Sequence, residues 1–278
     1  MATSAAEPHG NGRSAALPRV HADWLQPSLG VGGVRAVMTT RHGGGSAPPL
    51  DSMNVGTSVN DDPAVVAANR RLLADAIGAR PVYLWQVHGS RVVRLRSSDP
   101  VDAPLEKADA SITTEAGIGC AVQAADCMPV LFAVADAKGR GVAVGAAHAG
   151  WRGLASGVLG ETVKALCEVS GCEPSAISAW MGPCIGPDRF EVGADVLQAF
   201  DVDPAGRSTL HFKPHALKSN APGKWMADLP GLARDRLAAA GVTRISGGEH
   251  CTVSNASRFF SYRRDRLTGR MVAVVWLE

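Results

Sequence analysis

Three short segments concentrate the residue types that can do chemistry: Gln86-Val87-His88-Gly89, Ala125-Asp126-Cys127-Met128-Pro129-Val130-Leu131 and His148-Ala149-Gly150-Trp151-Arg152-Gly153. His88, Cys127 and His148 each sit in a turn or small-residue context beside an apolar run. Two imidazoles and one thiol form the ligand set of a zinc ion with one coordination position left open. A structural zinc site would close the tetrahedron with a fourth ligand, often through Cys-x-x-Cys pairs, and the chain contains no such pair. An open position points to an enzyme. Zinc would lower the pKa of a bound water toward ~7 and polarise a substrate atom. Thiolate and imidazole also suit copper, but not magnesium or calcium.

The elements that must position these residues follow from periodicity. Val130 to Val134 and Gly141 to Ala146 read as a hairpin joined by Asp136-Ala137-Lys138-Gly139-Arg140. Cys127 precedes its first strand and His148 follows its second, so both project from the open end although they are far apart in sequence. Val82 to Val87 reads as a strand delivering His88, and Val34 to Thr40 as a strand entering a flexible loop, Arg41-His42-Gly43-Gly44-Gly45. Pro63 to Ile77 has helical character and stops at Gly78. Leu154 to Val169 carries a helical face of Leu154, Val158, Leu159, Val163 and Leu166, and its N-terminus would favour an anion. Leu229 to Ala240 is a second helix with Asp228 as N-cap, Pro230 in its first turn and Gly241 as its stop. Arg258 to Leu277 reads as two strands around Arg266-Leu267-Thr268-Gly269-Arg270. The irregular order predicts an α+β fold, a layered α/β/β/α sandwich with mixed sheets, not a regularly wound parallel sheet.

Composition bounds the class. Among 278 residues, 46% are hydrophobic and only 5% aromatic, so the interior is built from Ala, Val, Leu and Ile. The net charge is +2 with acids and bases interspersed, which disfavours nucleic acid as a partner. No apolar run approaches the ~20 residues that span a bilayer, and the start lacks the apolar core of a signal peptide. Residues 1–18 read as a disordered tail, residues 19–278 as one catalytic domain, and the protein as cytoplasmic and monomeric. The six cysteines read as reduced thiols; Cys167 and Cys172 could bridge, but ordinary thiols are the better reading.

From about Arg41 to the C-terminus the chain resembles the bacterial YfiH family, long labelled polyphenol oxidase or laccase-domain proteins. The three segments carry this resemblance together with Ser52-Met53-Asn54-Val55-Gly56, Ala108-Asp109-Ala110, Gly182-Pro183-Cys184-Ile185-Gly186 and Phe260-Ser261-Tyr262-Arg263-Arg264, all in the family's order. One departure is His42, which follows Arg41 where the family pattern more often runs straight into the glycines. The resemblance implies a single-domain α/β sandwich and zinc held by His88, Cys127 and His148. It also implies phosphorolysis of adenosine, inosine and methylthioadenosine, with adenosine deamination as a further activity and a link to editing of peptidoglycan precursors. Its fold is also similar to that of certain deamidating cysteine toxins.

Around the ligands, Asp109 and Asp126 are candidate proton-transfer residues; alternatively Asp109 orients His88 or His148 through a ring N–H, and Asp126 holds the turn before Cys127. Arg152 is expected to clamp an anion, with Arg41, Asn54 and Arg263 as further substrate- or phosphate-binding candidates. Gly182 to Gly186 reads as a tight turn beneath the pocket, and His250-Cys251 as too poorly directed for a second metal pair. Two competing readings use the same residues. A metal-free Cys/His hydrolase, acting for instance on peptidoglycan precursors, would take Cys127 as nucleophile and His148 or His88 as base. A copper-dependent polyphenol oxidase of the laccase kind needs many histidines in His-x-His pairs, and the eight here include none. The nucleobase-deaminase pattern, His-x-Glu with Pro-Cys-x-x-Cys, is also missing.

Overall fold

In the computed structural model the described residues are 20–100, 105–205, 209–214 and 223–278. The tail expected at residues 1–18 lies outside them. In chain order the strands are β1 (Val34–Met38), β2 (Arg80–Val82), β3 (Val92–Arg94), β4 (Ala110–Thr113), β5 (Ile118–Ala124), β6 (Met128–Ala135), β7 (Gly141–Ala149), β8 (Ile177–Met181), β9 (Glu191–Val192), β10 (Phe212–Pro214), β11 (Trp225–Ala227), β12 (Arg244–Gly247) and β13 (Met271–Leu277). The helices are α1 (Pro63–Ile77), α2 (Trp151–Ala155), α3 (Val158–Ser170), α4 (Ala194–Ala199), α5 (Leu229–Ala239) and α6 (Tyr262–Asp265).

The described strands form a six-stranded sheet, β12-β8-β6-β7-β4-β3, a four-stranded sheet, β1-β13-β5-β2, and a small sheet, β10-β11-β9. Both larger sheets mix parallel and antiparallel pairs. Strand alternation sorts the apolar side chains into layers. Ala36, Met38, Cys120, Val122, Ala273 and Val275 of the smaller of these two sheets pack against Leu131, Ala133, Val144 and Ala146 of the larger. The alternate residues of the four-stranded sheet, Val37, Ala121, Val272 and Val274, meet Leu73 and Ile77 of α1. Val130, Phe132, Val134 and Ala147 face Leu159, Val163 and Leu166 of α3 and Leu237 of α5. The result is the α/β/β/α order expected of an α+β sandwich.

Helix ends follow local chemistry. Asp62 caps α1 by accepting from the Ala64 N–H, and Gly78, at φ 66°, closes it with its N–H on the Ala74 carbonyl. Asp228 caps α5 on the Gly231 N–H. Three expectations change. The helix expected over Leu154 to Val169 is broken, because Gly157 adopts φ 88° between α2 and α3. The region before β13 is not a strand: the Ser261 hydroxyl caps α6 on the Arg264 N–H, and the Arg264 guanidinium binds the carbonyls of Thr252, Val253 and Phe259. The Gly43 to Gly45 loop is pinned, with the first two N–H groups on the Ser52 hydroxyl and the third on Asn69.

Candidate active site

The hairpin of β6 and β7 places two of the three candidate ligands. Pro129 pairs with His148 and Met128 with Ala149, so Cys127 lies just beyond the strand end that carries His148. The turn before Cys127 is fixed by Asp126, which has φ 104°. Its carboxylate accepts from the Thr252 hydroxyl and the Arg263 N–H, both at 2.6 Å. Its carbonyl accepts from the Ile185 N–H in the Gly182 to Gly186 turn, whose Cys184 is fully buried. Burial raises the Asp126 pKa above the ordinary carboxylate value despite these donors. Asp126 therefore holds the turn.

His88 arrives by a different route from the strand expected through Val87. β2 ends at Val82, and the Gln86 side chain then takes over the sheet's role: it donates to the Gln123 carbonyl at 2.8 Å and accepts from the Gln123 N–H at 2.7 Å. With its amide serving as a β-bridge, the main chain is released from the sheet edge into a tight loop where His88 has φ 62°. Asp109, fully buried, organises that loop by accepting from the N–H groups of Val87 at 3.1 Å, His88 at 2.9 Å and Gly89 at 2.7 Å. The same carboxylate accepts from His148 Nδ1 at 2.9 Å. Since a carboxylate only accepts here, Nδ1 carries the proton and Nε2 is left free for the site.

His88 Nε2 stands 3.8 Å from Cys127 Sγ, and the two imidazole rings meet edge-on at 4.8 Å between centroids. The ligand atoms of His88, Cys127 and His148 all lie within 4.8 Å of one another, a group that could hold a metal ion. The donor set fits: two imidazole nitrogens and a sulfur converge, one ring is oriented by a buried carboxylate, and the thiol is readily ionised. Burial pushes the Cys127 thiol up, but the charge and hydrogen bonding of His148, then those of His88, outweigh it and bring it to about 6. Burial lowers His148, whereas Cys127 and Asp109 raise it to about 9. Without a metal each group thus favours the charge of the other, the thiol shifted toward thiolate and the imidazole toward imidazolium. Cys167 and Cys172, by contrast, are free thiols 3.6 Å apart.

Gly150 explains the small residue after this hairpin. A Cβ there would stand 2.7 Å from Cys127 Sγ and 3.2 Å from His88 Cδ2. The variant Gly150→Ala should stay folded, with a thermal midpoint within a few degrees of the wild type, yet lose metal affinity by at least about tenfold as the ligands are forced apart. Titration of the metal against a chelating dye checks this, and unchanged affinity would contradict the assigned geometry.

The triad lines a cavity of about 640 Å³ together with Gly56, Leu84, Trp85, Gln86, Leu105, Tyr262 and Arg270. That size suits a small organic ligand. Trp85 is 60% exposed and Tyr262 51% exposed at its rim. The expected anion clamps lie elsewhere. Arg41 is bound to the Asp51 carbonyl and carboxylate and to the Ala256 carbonyl. Arg263 donates to the Glu191 carbonyl and stacks on Phe190, and Arg152 lies exposed over the Trp151 ring. Asn54 is buried, bonding Asp61 and both edges of Gly56. None of these four lines the cavity. Sequence reasoning missed Gln86 as a positioning group and Arg270, whose only local signal is a cation directly before the last apolar strand.

The family described as multi-copper polyphenol oxidoreductase laccase matches residues 35–278. A purine nucleoside phosphorylase of Pseudomonas aeruginosa is 46% identical over 92% of this chain and 97% of its own length. The purine nucleoside phosphorylase YfiH of Escherichia coli is 44% identical over 91% and 96%. The chain belongs to the YfiH, or laccase-domain, family. Among solved structures, a Neisseria meningitidis protein superposes with a TM-score of 0.81 at 40% identity, covering 92% of this chain and 99% of that one. YlmD from Geobacillus stearothermophilus gives 0.81 at 36% identity over 92% and 96%. Within this YfiH-type fold the His42 departure is local: its carbonyl accepts from Trp24 Nε1 at 2.8 Å and its ring contacts the Ser257 carbonyl. The laccase description has no matching multicopper centre here, since His88, Cys127 and His148 are the one such ligand group among the described residues. No helix among them is long and apolar enough to cross a membrane.

Proposed function

We propose that the protein is a zinc-dependent purine nucleoside phosphorylase, a single-domain cytoplasmic monomer. It converts adenosine, inosine or methylthioadenosine and phosphate to the free base and ribose 1-phosphate, with adenosine deamination as a secondary activity. The observation that carries this reading is the convergence of His88, Cys127 and His148 in the wall of a cavity of about 640 Å³. Relatives named purine nucleoside phosphorylase, similar over nearly their whole length, support the substrate class.

In phosphorolysis a phosphate oxygen attacks the anomeric carbon, the bond to the purine nitrogen breaks, and the departing base takes up a proton. Trp85 and Tyr262 at the rim supply aromatic faces against which a purine can stack. Leu84 and Leu105 add apolar surface to the cavity lining. Asp109 keeps His148 in one tautomer and holds the His88 loop, so the donors that face the substrate need no rearrangement. A bound zinc ion would supply Lewis-acid polarisation of a substrate oxygen or nitrogen.

The test is incubation of the purified protein with adenosine, with and without phosphate, separating adenine from inosine. Adenine should form only when phosphate is present, and removing the metal should abolish it, with zinc restoring it. Adenine release that ignores phosphate would overturn the reading. A second reading, a metal-free cysteine hydrolase, is favoured by one observation: Cys127, His148 and Asp109 are linked in the order nucleophile, base and orienting acid, with the thiol at about 6. Full activity after complete metal removal would select it.

A further inference from the structure

Inside the cavity one cation keeps unused donors. Arg270 donates from Nη1 to the carbonyls of Thr268 at 3.0 Å and Gly269 at 3.1 Å. Its Nε and Nη2 have no hydrogen-bond partner among the described residues, and no carboxylate there forms an ion pair with it, although it lines the cavity beside Cys127, His88 and His148. Its surroundings explain why it stays in place. The Asn54 side-chain oxygen accepts from the Arg270 N–H at 2.8 Å, and the Val55 N–H donates to its carbonyl at 3.1 Å. Gly56 leaves room for the stem, since a Cβ there would stand 2.7 Å from Arg270 Cγ. On its other side Met271 pairs with Ala124 as β13 begins. The Asn54 to Gly56 segment therefore fixes the main chain and stem of Arg270 at the end of a central strand, and the Thr268 and Gly269 carbonyls hold one edge of its guanidinium.

Burial lowers the Arg270 pKa from the ordinary arginine value, and Cys127, Asp126 and Tyr262 offset part of that effect. A partly buried guanidinium without a carboxylate partner among the described residues, with Nε and Nη2 free on the cavity side, matches the fork that binds an oxyanion through two parallel bonds. Arg41, Arg263 and Arg264 are committed to protein carbonyls, and Arg152 lies outside the cavity. We propose that Arg270 is the phosphate-recognising residue of this cavity, presenting Nε and Nη2 to the oxyanion next to the His88, Cys127 and His148 group. This rests on the phosphorylase reading above.

The test compares wild type, Arg270→Gln and Arg270→Lys, each as full-length metal-loaded protein, with inorganic phosphate as the probe in titration calorimetry. The Gln variant should bind phosphate at least about tenfold more weakly, and Lys, a point charge on a similar stem, should fall between. In turnover, KM for phosphate should rise by about tenfold or more in the Gln variant while KM for the nucleoside changes by less than about threefold, and added guanidinium should restore part of the loss. A merely structural role would move both KM values together. Equal phosphate affinity in wild type and both variants, or no binding to wild type, overturns the assignment. Phosphate binding that depends on Arg270, without phosphate-dependent base release, would support the subsite and overturn only the activity proposed above.

Discussion

Cys127→Ala is expected to lower turnover by at least about a thousandfold, equivalent to roughly 4 kcal/mol of transition-state stabilisation, and to take the bound metal from one ion per chain toward none. The sulfur is one of three donor atoms lying within 4.8 Å of one another, and two imidazoles alone make a weak zinc site. The side chain is small and partly exposed, so the metal-free variant should unfold close to the metal-free wild type, within about 1 kcal/mol. Cys127→Ser adds a control, because a hydroxyl fills the same space without becoming a thiolate ligand at neutral pH. Metal analysis, turnover with adenosine and phosphate, and denaturant unfolding together decide the matter. Product formation unaffected by Cys127→Ala would remove the site from consideration.

Asp109→Asn should have the second largest effect, and on two properties at once. Asp109 accepts from three successive backbone N–H groups and from His148 Nδ1 while fully buried. An amide of the same shape turns one acceptor into a donor aimed at groups that are themselves donors. Loss of about 3 kcal/mol of stability is expected, together with a 10- to 100-fold loss of metal affinity as His88 and His148 lose their orientation. Burial alone would raise the Asp109 pKa, but the His148 hydrogen bond and the backbone donors of Gly89 and Val87 hold it below the ordinary carboxylate value. A depressed native pKa stabilises the fold fully above the unfolded value, near pH 4, and that contribution disappears as pH falls through the lower native value. Unfolding free energy measured against pH should therefore show an acid limb that the Asn variant shows more weakly. A variant matching wild type in stability, metal affinity and acid response would refute this role.

The legible parts of the fold were those with local signatures. Gly78 stops α1 and Asp228 starts α5, because caps and left-handed stops act within a few residues of the backbone they satisfy. The β6–β7 hairpin was legible for the same reason, and with it the meeting of Cys127 and His148. The break at Gly157, the helical turn after Ser261 and the early end of β2 at Val82 were not. The last two depend on partners elsewhere, Arg264 reaching Thr252 and Gln86 bridging to Gln123 across 12 and 37 positions of sequence, whereas the break at Gly157 is a left-handed glycine inside an apolar helical pattern that runs on past it. The arginines show the same limit. Arg41 and Arg263 stood out in the sequence and Arg270 did not, and only the packed structure separates those committed to carbonyls from the one with free donors in the cavity.

By itself the amino-acid sequence determined the ligand types, the hairpin that carries two of them, and the apolar periodicities that stack two sheets between helices. Tertiary structure decided how His88 reaches them, through a loop held by Asp109 and Gln86, that one buried carboxylate orients both histidines' surroundings, and which guanidinium lines the same cavity. The reason is one of length scale: periodicity and capping act over a few residues and specify faces and ends, whereas a coordination site depends on ångström-level convergence of loops that become neighbours only once the sheets have packed.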